Sequence, residues 1–290
     1  MDGHAEVTIE TIPLTLVCRG ARLVGLLHLP PAPKPRGIVI VPGAPQYRVG
    51  SHRQFVLLAR DLAAAGYPVL RFDYRGMGDS DGDFTGFEEV DDDIKAAVDT
   101  LFERVPGLSE VVLWGLCDGA SAAGFFAPRE PRVGGLILVN PWVRSEVSLA
   151  QARVRHYYRE RLLSGAFWRK LASGGVDLGA ALRGLASSLR RALGGSAAQA
   201  AEAADSQPLP VRLDRALDDF RGRVLVILSG NDVTGQEFDT AILKARDMGA
   251  WSQRSEATVK RLERANHTYA NHAWRGQVHA WMIDWLGAGS

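Results

Sequence analysis

The chain has 290 residues, of which 46% are hydrophobic and 23% are charged, and its formal net charge is +1. This length and balance predict one soluble globular domain with a sizeable core. The near-neutral charge argues against nucleic acid as a partner, and the two cysteines, Cys18 and Cys117, are too few for a disulfide framework.

The start of the chain and its hydropathy predict a cytoplasmic protein. Residues 1–6 carry acidic side chains and lack the basic and apolar regions of a signal peptide. No apolar run approaches the ~20 residues that a membrane-spanning helix needs, so no transmembrane segment is expected. Both cysteines are therefore interpreted as reduced thiols.

Strands and helices alternate through the first half of the chain. Residues 7–17 and 21–29 have the alternating pattern of a β-hairpin. Continuous apolar runs, typical of buried parallel strands, then alternate with segments of helical periodicity. The predicted strands are 37–41, 68–73, 110–115 and 135–140, and the predicted helices are 52–65, 87–104 and 118–126.

The alternation is interrupted by residues 144–215, which are rich in Ala, Leu, Arg, Ser and Gly and contain no strand-like run. We interpret them as a helical cap inserted into a core formed by residues 1–143 and 216–290. Strand–helix alternation predicts the α/β class, with a mostly parallel central sheet and helices on both faces. The alternation resumes with strands 223–229 and 257–263 and helices 235–248 and 271–286.

Cys117 is the predicted nucleophile. An apolar strand leads into Gly-x-Cys-x-Gly at residues 115–119, and a helix follows, which is the pattern of the nucleophile elbow in α/β-hydrolases with sulfur in place of oxygen. Glycines flank the nucleophile because side chains there would collide with the tight turn. The N-terminus of the helix favours the thiolate form. The alternative is a buried structural cysteine.

A Gly-x-Ser-x-Gly sequence at residues 78–82 also matches the elbow pattern, with Ser80 at its centre. It lies in a polar loop rather than between a strand and a helix. Asp79 and Asp81 beside the serine would disfavour an anionic nucleophile. We therefore interpret residues 72–80 as a structural loop.

His267 and Asp232 are the predicted base and acid. A nucleophile in this fold is followed along the chain by an acid and then a histidine. Asp232 comes directly after strand 223–229, and His267 comes after strand 257–263. Asp232 is alternatively a helix N-cap. The other histidines precede the elbow, lie in the cap or lie on the last helix: His4, His28, His52, His156, His272 and His279.

Two backbone amides are predicted to form the oxyanion hole. One is the N–H of Asp118, directly after the nucleophile. The other is the N–H of Ala44, in the loop after strand 37–41, because Pro45 has no N–H. Gln46 and Tyr47 are predicted to line the site, although both are alternatively ordinary loop residues.

Over nearly its whole length the chain resembles the α/β-hydrolase superfamily. Residues 42–54 (PGAPQYRVGSHRQ) and 115–120 (GLCDGA) resemble a narrower group, the exosortase A system-associated hydrolases, which are encoded near bacterial exopolysaccharide and protein-sorting loci. This resemblance implies no substrate, because the group is named for its genomic neighbours. Dienelactone hydrolases are similar at the Cys-Asp-His triad only.

The predicted cap carries eleven Arg and one Lys against six acidic residues, a net charge of +6. The densest cluster includes Arg155 and Arg159. These two residues are predicted to bind an anionic group, such as a phosphopantetheine carrier, coenzyme A or an acidic saccharide. The alternative is a solvated helical face.

These features predict a hydrolase that cleaves an ester or thioester through a covalent Cys117 acyl-enzyme. Acyl transfer to an amine, thiol or hydroxyl acceptor is the second hypothesis, because a thioester intermediate reacts readily with amines and thiols. A binding or redox-sensing protein with an oxidisable thiol is the third. The predicted partner is a small-molecule or carrier-bound acyl substrate, including acyl carrier or coenzyme A thioesters. No cofactor or metal is predicted.

Overall fold

The computed structural model describes residues 8–144 and 207–288. Of these, residues 8–143 and 210–288 belong to one compact unit. Most of the predicted cap, 144–215, lies outside the described residues, so the cap stays a prediction. None of the helices in the described ranges is long and apolar enough to span a membrane.

Eight strands form one sheet in the order β1-β2-β4-β3-β5-β6-β7-β8. Strand β2 pairs antiparallel with β1 and β4, and the remaining pairs are parallel. This mostly parallel sheet confirms the predicted fold class. The strands are β1 (Glu10–Cys18), β2 (Ala21–Leu29), β3 (Arg36–Val41), β4 (Val69–Phe72), β5 (Glu110–Leu116), β6 (Val133–Val139), β7 (Arg223–Ser229) and β8 (Ala257–Leu262).

Helices cover both faces of the sheet, as the strand–helix alternation predicts. They are α1 (Gln54–Ala64), α2 (Asp91–Arg104), α3 (Asp118–Phe126), α4 (Leu209–Asp219), α5 (Val233–Phe238) and α6 (His272–Gly287). Helices α1 and α6 contribute to one apolar cluster, and α2, α3 and α4 contribute to the other. Because both faces are covered, the inner strands β3, β5, β6 and β7 are buried almost throughout.

Helix α5 is much shorter than the predicted helix 235–248. It begins at Val233, passes into a π-helical segment Asp239–Leu243 and ends there. The Lys244 amide bonds to the Asp239 carbonyl, five residues earlier, and this wide turn closes the helix. Gly249 then adopts a positive φ of 77°, which turns the chain toward β8.

Helix α4 packs on the core, although the predicted boundary between cap and core at residue 215 falls inside it. Leu213 and Leu217 of α4 are fully buried in the same cluster as α3. A Cβ placed on Gly124 of α3 would lie 2.8 Å from Leu213 Cδ1, so the two helices meet closely at this glycine. The apolar face of α4 therefore belongs to the core around the sheet.

We expect Leu213→Ala to lower the free energy of unfolding by about 3 kcal/mol, because it removes a buried side chain and leaves a cavity against α3. Urea denaturation followed by circular dichroism measures this loss. The matched control is Val17→Ala, at a side chain that is 74% exposed, which should change the free energy by less than about 0.5 kcal/mol. Equal effects of the two substitutions would contradict the assignment of α4 to the core.

Candidate active site

The backbone at Cys117 forms a sharp turn between β5 and α3. Cys117 has φ 61° and ψ −126°, a backbone conformation that residues other than glycine rarely adopt. The turn is held from both sides, since the Cys117 amide donates to the Val139 carbonyl at 3.0 Å and the Cys117 carbonyl accepts the Trp142 amide at 3.1 Å. The strained backbone presents a half-buried thiol at the end of the sheet.

The two glycines of the motif are required by close backbone contacts. A Cβ on Gly115 would lie 2.5 Å from the Ala120 Cα, and a Cβ on Gly119 would lie 2.6 Å from the Val41 carbonyl oxygen. Both distances are shorter than van der Waals contact. Any side chain at either position would force the strand, the helix or the loop after β3 to move.

His267 and Asp232 meet across the loops that follow β8 and β7. His267 Nδ1 lies 3.0 Å from Asp232 Oδ2, so Nδ1 donates to the carboxylate and leaves Nε2 free for the thiol side. The same carboxylate oxygen accepts the Gly235 amide at 2.9 Å and caps α5. The Asp232 carboxylate therefore both contacts His267 and caps the helix, so the two interpretations of this residue are compatible.

Electrostatics favour the protonated form of His267. The hydrogen bond to Asp232 raises the pKa of His267 to about 10, and Cys117 acts in the same direction, against the effect of burial. Burial by itself would raise the pKa of Asp232, but the hydrogen bonds from His267 and the Gly235 amide hold it below its ordinary value. The structure thus brings a thiol, an imidazolium and a carboxylate together in the predicted order.

The loop after β3 lies beside the elbow and carries the predicted second amide of the oxyanion hole. The Ala44 amide donates to Asp118 Oδ2 at 3.2 Å, and the Gly119 amide donates to Asp118 Oδ1 at 3.0 Å. Burial raises the pKa of Asp118 to about 6, although these amides and His267 favour the charged carboxylate. The predicted amides of Ala44 and Asp118 are therefore close together, with the Asp118 carboxyl between them.

Arg48 anchors this loop to the loop after β4. Its guanidinium forms ion pairs with Asp73 and Asp79, and its amide donates to Asp73 Oδ1 at 2.6 Å. The buried guanidinium of Arg71 donates to the Arg48 carbonyl. The sequence analysis did not identify Arg48. An arginine in one loop and several aspartates in another could have indicated an ion pair between the two loops.

Gln46 and Tyr47 differ in their surroundings. The Gln46 side chain accepts hydrogen bonds from the Ser51 amide at 3.4 Å and from Gln54 at 3.2 Å, so it shapes its own loop. Tyr47 is 43% exposed, with the Arg48 guanidinium 5.8 Å from its ring centroid. Substrate contacts by either residue stay a prediction.

Asn140 and Ser229 connect the loops that carry the acid and the base. Asn140 follows β6, is fully buried and has a positive φ of 44°. Its amide nitrogen donates to Ser229 Oγ at 2.9 Å and to the His267 carbonyl at 3.2 Å, and its oxygen accepts the Ser229 amide at 2.8 Å. Ser229 Oγ donates to the Asn266 carbonyl at 3.0 Å. The sequence analysis did not identify Asn140 or Ser229. A polar residue at the end of each of two apolar strands could have indicated them.

Ser80 has the structural role that its polar loop predicts. Its hydroxyl donates to the Asp73 carbonyl at 2.9 Å and accepts the Val24 amide at 2.9 Å. Among the other histidines, His279 contacts Asp61 at 2.5 Å, and His28 is buried against Arg71 with a pKa lowered to about 4 by burial and by that arginine. In the described ranges, none of these three side chains shares a hydrogen bond with Cys117, Asp232 or His267.

Arg155 and Arg159, the residues predicted to bind an anionic group, fall outside the described residues, so an anion site there stays a prediction. Among the residues described, no group of three His, Cys, Asp or Glu side chains is arranged to hold a metal ion.

Comparison with known proteins identifies the family. The model of the family described as "Serine aminopeptidase, S33" matches residues 34–183, just over half of the chain. This match includes the loop after β3 and the elbow. No curated protein sequence matches the chain.

Solved structures with the same fold have low sequence identity to this chain. An esterase from Pyrococcus furiosus superposes with a TM-score of 0.64 at 14% identity and covers 97% of this chain and 91% of its own. Est1E from Butyrivibrio proteoclasticus, solved with ferulic acid, gives 0.58 at 16% identity, covering 94% and 99%. An α/β serine hydrolase without a lid from Xanthomonas campestris gives 0.58 at 17%, covering 96% and 94%.

Asp232→Asn should lower the pKa of His267 from about 10 toward 6.5, because the charged acceptor is the largest cause of the shift. NMR titration of the His267 imidazole measures this change. Asp61→Asn, which removes the carboxylate beside His279, is the matched control and should leave His267 unchanged. An unaltered titration in Asp232→Asn would contradict the hydrogen bond.

The same pair should make stability depend on pH. The raised pKa of His267 contributes fully below pH 6.5, and this contribution is lost as the pH rises toward 10. The lowered pKa of Asp232 contributes above pH 3.8, and this contribution is lost at lower pH. The excess stability of the wild type over Asp232→Asn should therefore be largest between pH 3.8 and 6.5, as measured by urea denaturation.

Proposed function

Because this chain belongs to the α/β-hydrolase family described as serine aminopeptidase, S33, we propose that it is an esterase or thioesterase that works through a covalent Cys117 acyl-enzyme. One observation carries the proposal. A strained elbow presents the Cys117 thiol, and the nearby His267 is hydrogen-bonded to Asp232. A merely structural cysteine would need neither the strained turn nor the ionic pair beside it.

The chemistry follows from the roles of these groups. Cys117 Sγ, as a thiolate beside the His267 imidazolium, attacks the acyl carbonyl and forms a carbon–sulfur bond. The carbonyl π electrons move to the oxygen, which backbone amides stabilise. The carbon–oxygen or carbon–sulfur bond to the leaving group then breaks, and His267 donates its proton to that group. His267 then takes a proton from water, whose oxygen attacks the acyl carbon, and the carbon–sulfur bond breaks to release the acid and restore the thiolate–imidazolium pair.

Sulfur in place of oxygen makes the choice of acceptor important. A thioester intermediate reacts with amines and thiols as well as with water, so the same triad would also support acyl transfer. Hydrolysis is the primary proposal, because the family is one of hydrolases. The ratio of free acid to transferred product, measured with an added amine or thiol, distinguishes the two outcomes.

The narrower proposals concern the substrate. The two motifs at residues 42–54 and 115–120 support membership in the exosortase A system-associated hydrolases. We further propose that residues 144–215 form a basic cap, in which Arg155 and Arg159 bind an anionic group of the acyl donor. Charge reversal at these two arginines should then raise KM for coenzyme A thioesters but not for neutral esters.

We expect the wild-type protein to gain one acyl-sized mass after brief exposure to p-nitrophenyl esters or acyl thioesters, because the acyl-enzyme is covalent. Intact-mass spectrometry measures the adduct. Cys117→Ala should gain none, and its rate of product release should fall by at least about 10³-fold.

Cys18→Ala is the matched control, since Cys18 is 3% exposed and belongs to the apolar cluster beneath α2, α3 and α4, whereas Cys117 packs against the other cluster. It should acylate like the wild type. Retained turnover in Cys117→Ala would reject the nucleophile assignment. An adduct that is lost in Cys18→Ala would reassign it.

A further inference from the structure

One carboxyl group lies among the amides that the proposed mechanism needs. The Asp118 side chain accepts the Ala44 amide at 3.2 Å and the Gly119 amide at 3.0 Å, and its own amide also stabilises its charged form. Several backbone amides that converge at the N-terminus of a helix form an anion-binding site. Here the anion is a side chain of the elbow itself.

The backbone around this carboxyl leaves little free space. A Cβ on Gly43 would lie 2.5 Å from Asp118 Oδ1 and 2.7 Å from the Leu116 carbonyl oxygen. The loop after β3 therefore packs directly against the carboxyl. A substrate oxygen that needs the Ala44 amide has to enter the same space.

On the basis of the proposed function, we propose that the Asp118 carboxylate occupies the oxyanion hole in the free protein. The substrate carbonyl has to displace this carboxylate before Cys117 attacks. The attack turns the carbonyl oxygen into an anion that requires the Ala44 and Asp118 amides. Two negative oxygens at hydrogen-bond distance from one amide repel each other, so the carboxylate has to leave or be protonated.

This occupant makes Asp118 a determinant of substrate specificity. Displacement costs free energy, which the remote binding interactions of a well-fitted acyl donor can supply. A small activated ester makes few such interactions and cannot offset the cost. Asp118 therefore suppresses the hydrolysis of small esters more than that of the cognate substrate.

The test compares Asp118→Ala and Asp118→Asn with the wild type in single-turnover acylation by p-nitrophenyl acetate. At pH 8 we expect Asp118→Ala to acylate about tenfold faster, because both amides are then free. Asp118→Asn should fall between the two, since its neutral amide oxygen is a weaker competitor. At pH 5, below the pKa of about 6 of Asp118, the advantage should shrink, because the wild-type carboxyl is then neutral.

The controls separate this inference from general effects of charge. Asp83→Asn removes an exposed carboxylate from the loop after β4 and should acylate like the wild type. In the described part of the chain, the titratable groups that interact with Asp118 besides its neighbour Cys117 include His267 and Tyr74. Both stay in one protonation state between pH 5 and 8, because their pKa values are raised.

A second measurement does not depend on activity. The amide resonance of Ala44 in ¹⁵N NMR spectra should shift with a midpoint near pH 6 in the wild type and should not titrate in Asp118→Asn. A static Ala44 resonance in the wild type would overturn the hydrogen bond and with it the inference.

The remaining outcomes are distinct. Equal or slower acylation of Asp118→Ala at pH 8 would overturn the role as a competitor and indicate that the carboxyl helps to hold the site. If neither the wild type nor Asp118→Ala acquires an acyl group from any donor, the proposed nucleophile fails, and the inference fails with it. The Ala44 titration would still report the Asp118 contact in that case.

Discussion

Direct backbone contact between the elbow and the loop after β3 is the constraint on which the site depends. Gly43, Gly115 and Gly119 have no room for a Cβ, and the obstructing atoms belong largely to the backbone of Val41, Leu116 and Ala120. This contact joins the carboxyl ends of two adjacent parallel strands, β3 and β5. It brings Cys117 and the neighbouring backbone amides together at the carboxyl end of the sheet.

Polar side chains then fix the loops that the strands only bring near. Asn140 and Ser229 join the ends of β6 and β7 to the backbone of Asn266 and His267. Arg48 joins the loop after β3 to the loop after β4 through Asp73. Buried hydrogen bonds of this kind are costly to leave unsatisfied, so each loop has one favoured arrangement. The positions of Asp232 and His267 therefore depend on other residues, which hold the loops that carry them.

Much of this arrangement could be predicted from the sequence, because the relevant signals are local. Continuous apolar runs identify buried parallel strands, and Gly-x-Cys-x-Gly after such a run identifies the elbow. The order of Cys117, Asp232 and His267 follows from the fold. The hydrogen bonds of Asn140 to Ser229 and to the His267 carbonyl could not be predicted, because they join residues that are 89 and 127 positions apart. The wide turn that ends α5, and the Asp118 carboxyl among the amides, are likewise set by tertiary contacts.

The way in which the chain leaves and rejoins the core has an evolutionary consequence. On one side of residues 145–206, Trp142 is bonded to the elbow, and Ser121 Oγ donates to the Trp142 carbonyl at 2.6 Å. On the other side, α4 is fastened to α3 by Leu213 and Leu217. Core residues stabilise both junctions. Mutations can therefore accumulate in the intervening segment while these contacts within the core are kept.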